Sequence, residues 1–456
     1  MAEEPLKPEP RKDPPIDYLA IANDFLRETG TSVVNWSNLY WSYNGKCYER
    51  VGDGSADEFK LDIAQWLGVE FRGCSNTRRS ADEIEFQCRA NLRLGRKQSM
   101  PAFLGDTTPR PRIITLANGI LDLEPCAAGL DPVLSDHKPN WFCTSALPFE
   151  FRRDASCPRW LSFLNDCLEG DVQRIALLQE WFGYCCTHDT SFEKALLMEG
   201  PGGNGKSQAI EVLNALLGGD TNCSAVPLEK IGHRFQDYAM VGKLVNFCAE
   251  VPENCYVNIS ALRQLITGDN YQFERKGLDP FMARPTARLV IAMNTRPKFH
   301  DPSNALWRRV MLMPWTYEVP AEKRVLDLGK KIAAEELPGI FLWAIEGLKR
   351  LWKNRKFTES KAVEVATNNM RAENDPIRSE LTTLLCSDEA GFITSSELWE
   401  LHNAYCNESV ESVERGTPAS LAAAVRRVFP LAAPAKRTVS GSQCRGWSGI
   451  SKRNPT

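Results

Sequence analysis

The 456-residue sequence has fifteen cysteines but no Cys-x-x-Cys pair. That argues against a zinc ribbon or finger, whose ligands come in such closely spaced pairs. The odd, scattered count in a long chain fits reduced thiols. The adjacent Cys185 and Cys186 fall within an apolar helical stretch and read as core. No apolar run approaches the ~18 residues needed to span a bilayer. The opening MAEEPLKPEPRKDPP has no apolar signal core, so a disordered tail over 1–16 and a soluble intracellular chain are expected. A net charge of −3 favours no class of partner. One segment departs from that balance: from Arg415 to Thr456 there are eight Lys/Arg and no Asp or Glu.

At roughly 150 residues per domain, this length allows about three domains. Asp17 to Thr29 has helical periodicity, with Leu19, Ile21, Phe25 and Leu26 available for one face. Two hairpins are predicted, one over 39–51 with Asn44–Gly45 at its turn and one over 112–124 centred on Asn118–Gly119. Residues 17–150 therefore read as a mixed accessory region without a catalytic cluster, and 151–192 as helical. From 195 to 316 strands and helices alternate as in an α/β domain, the strand candidates being Ala195–Glu199, Leu244–Ala249, Leu289–Met293 and Val310–Trp315. After about 330 the chain turns helical, with Phe341, Ala344, Ile345, Leu348, Leu351 and Trp352 forming one apolar stripe that reads as core. The polar stretch 355–380 reads as a linker or a solvated helix.

Residues 200–207 read Gly200-Pro201-Gly202-Gly203-Asn204-Gly205-Lys206-Ser207 and match the phosphate-binding P-loop in full. Glycines let backbone N–H groups turn inward around phosphate oxygens. Lys206 is placed to reach the β- and γ-phosphates of ATP, and Ser207 to ligate Mg2+. An apolar strand precedes the loop, and an amphipathic helix (Gln208–Leu217) follows it, its positive N-terminal end towards the phosphates. The next apolar strand ends in Glu250, a candidate to hold Mg2+ or polarise the attacking water; Glu253, beyond Pro252, is a weaker candidate. A third strand ends in Asn294, an amide suited to orient that water and sense the γ-phosphate.

The fourth strand is preceded by Arg308 and Arg309. An arginine offered to a neighbouring subunit's γ-phosphate stabilises transition-state charge. Arg309, which touches the strand, is preferred for this role, and a structural ion pair is the competing account for either arginine. Between Glu250 and Asn294, the pattern around Phe273 and Phe281 allows a hairpin with Arg275 and Lys276 exposed at its tip, suited to gripping a DNA backbone. Near the C-terminus, helices over 396–406 and 417–430 and a two-stranded segment over 438–450 make a winged-helix pattern. Arg426 and Arg427 are its candidate DNA contacts, against the alternative of a basic disordered tail.

In this order the elements resemble superfamily 3 helicases, AAA+ ring motors of small viruses, phages and plasmids. GPGGNGKS looks like their Walker A, and the strand ending at Glu250 like Walker B. LITGDNYQFERKG looks like the segment leading into their DNA-gripping hairpin, VIAMN like sensor 1, and WRRV like the arginine-finger segment. Beyond this core, LANGILDL, ALPFEFRRDASCPRWLSFLNDCLEGD and PGIFLWAIEGLKRLW look like stretches of phage, plasmid and poxvirus primase-helicases. The resemblance runs from about 110 to 355 and implies an α/β fold. Its parts would be an accessory domain (17–150), a helical collar (151–192), an AAA+ P-loop ATPase (193–330), a helical segment (331–385) and a basic winged-helix-like domain (386–456). It further implies ATP-dependent DNA unwinding by a homo-oligomer, a hexamer, during replication of a mobile element in a bacterial host's cytoplasm. Relatives often carry a primase domain; here no zinc cysteines or metal-binding carboxylate cluster stands before the core, so a separate primase is expected. A nucleotide-switched origin-binding initiator and a P-loop kinase remain as alternatives.

Overall fold

The computed structural model describes residues 16–29, 32–52, 56–69, 77–95, 97–249, 251–252, 255, 257–276, 278–297, 299, 304–320, 322, 324–408, 417–439 and 441–453. The tail expected over 1–16 lies almost wholly outside them, and so do Glu250 and Glu253.

The chain opens with helix α1 (Tyr18–Glu28), whose first turn is capped by Asp17 accepting from the Ala20 N–H at 3.0 Å. Ile21, Ala22 and Phe25 face inward, but Leu19 is exposed, so the buried face is narrower than the periodicity implied. A three-stranded antiparallel sheet follows, β1 (Val33–Trp36), β2 (Leu39–Tyr43) and β3 (Tyr48–Arg50). The β2–β3 turn is the expected one at Asn44–Gly45. β1 was not foreseen: its turn is Ser37–Asn38, both at positive φ (54° and 60°), a hairpin geometry usually announced by glycine. Helices α2 (Ala56–Val69) and α3 (Arg78–Leu92) cover this sheet. Short strands β4 (Ala102–Phe103) and β8 (Trp141–Phe142) bracket a second three-stranded sheet, β5 (Ile113–Leu116), β6 (Gly119–Asp122) and β7 (Val133–Ser135). In it Leu116 pairs with Gly119, so the turn is Ala117–Asn118, one residue earlier than read from the sequence.

Helices α4 (Pro158–Cys167) and α5 (Val172–Cys185) lead into a five-stranded parallel sheet. It is built from β9 (Ala195–Glu199), then α6 (Lys206–Leu217), β10 (Cys223–Ser224) and β11 (Val245–Cys248). After these come α7 (Ile259–Thr267), the β12 (Tyr271–Arg275) and β13 (Leu278–Ala283) hairpin, β14 (Arg288–Met293), α8 (Asn304–Trp307) and β15 (Val310–Pro314). The sheet order is β10-β11-β14-β9-β15. Its strands are nearly continuous apolar runs because both faces are covered. Side chains alternate between two cores, with Leu196, Met198, Met311 and Met313 packing on one side and Ala195, Leu197, Val310 and Leu312 on the other.

The long helix α9 (Leu328–Asn354) packs along α5 and buries all six residues of the expected apolar stripe. Between these helices Glu180 is fully buried and accepts from Arg350 Nε, the Thr358 N–H and the Thr358 hydroxyl, each at 2.7 Å. Glu180→Ala is expected to cost about 3 kcal/mol, because it strips three donors of a buried acceptor. A urea midpoint unchanged from the parent would refute that role.

The stretch read as linker or solvated helix contains α10 (Lys361–Glu373), whose Val363, Ala366 and Met370 are buried. The remainder runs α11 (Pro376–Leu384), β16 (Leu385–Thr394), α12 (Ser395–Glu408), α13 (Pro418–Val428), β17 (Ala433–Val439) and β18 (Ser442–Lys452), with sheet order β16-β18-β17. Thr417 and Ser420 form a capping box at the start of α13. Leu381, Ile393, Leu398, Leu421, Val425, Trp447 and Ile450 give this unit its own core, so its basic sequence is folded rather than a loose tail. The sequence reading missed β16 and began the two-stranded segment at 438, whereas β17 starts at Ala433.

Candidate functional site

The glycine loop joins β9 to α6 in a cavity of about 1410 Å³, larger than the ~300–1,000 Å³ of common small-molecule pockets. Gly203 and Gly205 sit at φ +78° and +92°. A Cβ at Gly205 would lie 2.6 Å from Cys167 Sγ, and one at Gly203 would lie 2.9 Å from the Arg324 guanidinium, so both positions need glycine. Gly205 caps α6 and aims the helix's N-terminal end into the cavity. Ser207, in the first turn, is exposed on its wall together with Gly202 and Gly203.

Lys206 is buried at the centre of this loop. Its Nζ donates to the carbonyls of Gly200 (2.5 Å) and Pro201 (3.0 Å), to Asn204 Oδ1 (3.2 Å) and to Asn294 Oδ1 (3.4 Å). Burial holds its ammonium below the usual lysine range. Asn204 is buried too; its amide donates to the Trp315 carbonyl at 2.8 Å, so it braces the loop from within.

Strand order brings Asn294 to Lys206. β14 lies between β9 and β11, pairing Met293 with Glu199, so the residue after β14 emerges beside the glycine loop. Arg296 reinforces this, donating to both Glu199 oxygens at 2.5 and 2.8 Å. Sequence reading missed Arg296, since nothing local ties it to a residue 97 positions away. It also missed the strap after β15, where the Trp315 N–H donates to the Glu199 carbonyl and the Val319 N–H to the Gly203 carbonyl. Tyr317, Val319 and Leu328 from this region line the cavity together with Phe163 and Cys167. Glu250 lies outside the described residues, but its neighbours Ala249, Val251 and Pro252 line the same cavity.

Arg309 is not brought to this site. It precedes β15, where Val310 pairs with Ala195, whereas the loop leaves the sheet beyond the Glu199–Pro314 pair. The arginine therefore sits at the opposite end of the strands from its own chain's loop, and the paired stretch between them alone spans roughly 13 Å. It is buried, donates to Glu193 Oε2 at 3.1 and 2.7 Å, and donates to the Ala305 carbonyl at 2.7 Å. Arg308 beside it is exposed. The preference for Arg309 as the arginine offered to a neighbour thus meets a side chain already held inside its own subunit.

The predicted hairpin is present as β12 and β13, with Lys276 exposed at its end. Arg275 differs from expectation: it is half-buried, with its guanidinium 5.3 Å from the Tyr238 ring centre. Arg50 of β3 lies 4.8 Å from the same ring. Tyr271 donates to Asp237, whose carboxyl burial pushes above the usual range, and Arg234 pairs with Glu274 at 2.9 Å. These contacts fix the hairpin's base and leave Lys276 projecting. In the C-terminal unit Arg427 donates to both oxygens of buried Asp375 at 2.8 and 2.9 Å, a structural commitment that takes it out of the expected DNA-contact pair. Arg426 is exposed and lies 5.4 Å from the Trp447 ring centre.

Comparison with known proteins adds two family matches. Residues 21–169 match the family described as "D5 N terminal like", and residues 198–309 match a family of unknown function (DUF5906). Among solved structures the chain is similar to "The A form apo structure of NrS-1 C terminal region-CTR", with a TM-score of 0.52 and 12% identity over 96% of this chain and 100% of that one. It is also similar to "The apo structure of NrS-1 C terminal region (305-718)", with a TM-score of 0.50 and 13% identity over 94% and 98% of the two chains. At this identity the likeness is one of fold.

Proposed function

We propose that this protein is an ATP-dependent, ring-forming DNA helicase or translocase of the primase-helicase type, serving replication of a phage, plasmid or other mobile element. The observation that carries the proposal is the meeting of Lys206 and Asn294 at 3.4 Å across adjacent strands, with β14 inserted between the P-loop strand and the strand leading to Glu250. That strand order fits an AAA+ ATPase and supplies a γ-phosphate sensor beside the phosphate loop. The match to the D5-like family over 21–169 supports the replication setting.

In this reading the loop N–H groups of 202–207 and the α6 N-terminus hold the phosphates of ATP. Lys206 exchanges its carbonyl partners for phosphate oxygens, and Asn294 aligns the attacking water. Ser207, exposed on the cavity wall, would hold a Mg2+ ion, with Glu250, the acid that follows β11 in the sequence, as its proposed partner. When bound, that ion neutralises charge on the β- and γ-phosphates. The finger role passes from Arg309 to Arg308, the exposed member of the pair. The C-terminal order helix, strand, two helices and hairpin fits a winged helix.

Lys276 then transmits the stroke to DNA. Lys276→Ala is expected to keep nucleotide turnover near the parent rate and to abolish strand displacement on a tailed duplex. Displacement at the parent rate would remove the hairpin from the mechanism. Turnover indifferent to DNA, with no displacement by the parent protein, would favour the kinase reading.

A further inference from the structure

The C-terminal unit carries a cationic strip that its helices do not explain. In the β17–β18 hairpin Lys436 pairs directly with Arg445, both exposed. Partners directly opposite in an antiparallel pair project from the same face, so two cations are held side by side, which is unfavourable without an anion between them. Two residues along β18 on that face is Trp447, covered by the guanidinium of Arg426 from α13. Arg426, Arg445 and Lys436 therefore form one row running from the helix out along the hairpin, and the sequence from 415 to 456 supplies no acid to neutralise it.

The helix that would enter a major groove is poorly equipped to read one. The exposed positions of α13 are Pro418, Ala419, Ser420, Ala423 and Arg426. Base discrimination needs forked donors or acceptors such as Asn, Gln or Arg. Ser420 is engaged in its own capping box and Arg426 is stacked on Trp447, and alanine offers at most an apolar contact. Nor does the strip offer a stacking platform for unpaired bases, since its one aromatic, Trp447, is only 5% exposed.

We infer that the C-terminal unit holds duplex DNA by its backbone phosphates, through Arg426, Arg445 and Lys436, without reading base sequence. This rests on the proposed role of the chain in DNA unwinding and names what its C-terminal unit recognises. It makes that unit a sequence-blind anchor on duplex rather than an origin reader.

The test is fluorescence anisotropy of the full chain on blunt duplexes of several unrelated sequences, across a salt series and without nucleotide. The expected result is equal affinity for all sequences. Lys436→Ala/Arg445→Ala should weaken every duplex alike, on the order of tenfold near 0.1 M salt, and lower the log–log salt slope by about 2. The conservative Lys436→Arg/Arg445→Lys variant should restore both, which separates charge from folding. One sequence bound 10³-fold or more above the rest, the scale of specific recognition, would overturn the inference, as would a double variant that binds duplex like the parent. Strand displacement by the same proteins is scored separately. Displacement without hairpin-dependent duplex binding sinks this inference alone, and duplex binding with the expected slope but no displacement sinks the helicase reading alone.

Discussion

Lys206→Ala is expected to lower ATP turnover on the order of 10²–10³-fold, the scale set by losing one preorganised donor to transition-state charge. The lysine sits where four oxygens converge, three from its own loop and one from Asn294. These are neutral acceptors, so they stabilise the buried ammonium less than phosphate oxygens bearing full charges do. In the proposed function, a bound triphosphate would therefore draw Nζ out of the loop and free Asn294 Oδ1 for water. Alanine removes both events together. The Gly200 and Asn204 acceptors are buried, so losing this donor should also lower stability, by about 1–3 kcal/mol. The check is turnover beside nucleotide-dependent thermal stabilisation. Lys206→Arg keeps the charge but not the compact reach, and should recover binding more than turnover. Full turnover by the alanine variant would detach hydrolysis from this loop.

The parts of the site that were legible in the sequence are those fixed by local conformation. Glycines at 203 and 205 mark backbone that other residues adopt only with strain, and the strand-loop-helix around them follows from periodicity. Four of the five core strands were placed to within a residue of their ends, and the short edge strand β10 was missed. What could not be read is what depends on strand order and on remote partners. Asn294 faces Lys206 only because β14 enters the sheet between β9 and β11, and Arg296 matters only because Glu199 ends the neighbouring strand. Arg427 carried the same signal as Arg426, yet Asp375, 52 residues earlier, holds one and leaves the other exposed. The expected exposure of Arg275 failed likewise, because Tyr238 lies under its guanidinium. In each case a contact from a distant element decided whether the side chain was available.

The same logic sets the second large effect, at the adjacent arginines before β15. Arg308→Ala is expected to reduce turnover by about 10³-fold or more in the assembled protein, since an arginine supplied in trans contributes on that scale, while leaving stability unchanged at an exposed position. Arg309→Ala is expected to act through the fold instead. It removes two hydrogen bonds to Glu193 and one to the Ala305 carbonyl from a buried side chain. Glu193 is 43% exposed and can turn to water, so the loss should be about 1–3 kcal/mol rather than that of a sealed pair. Mixing separates the two roles. Combining inactive Lys206→Ala subunits with inactive Arg308→Ala subunits creates interfaces that pair an intact loop with an intact finger, so turnover should return in the mixture. No return would mean that each subunit completes its own site. If Arg309→Ala alone behaves this way at parental stability, the finger is Arg309, and its contact with Glu193 must open when subunits meet.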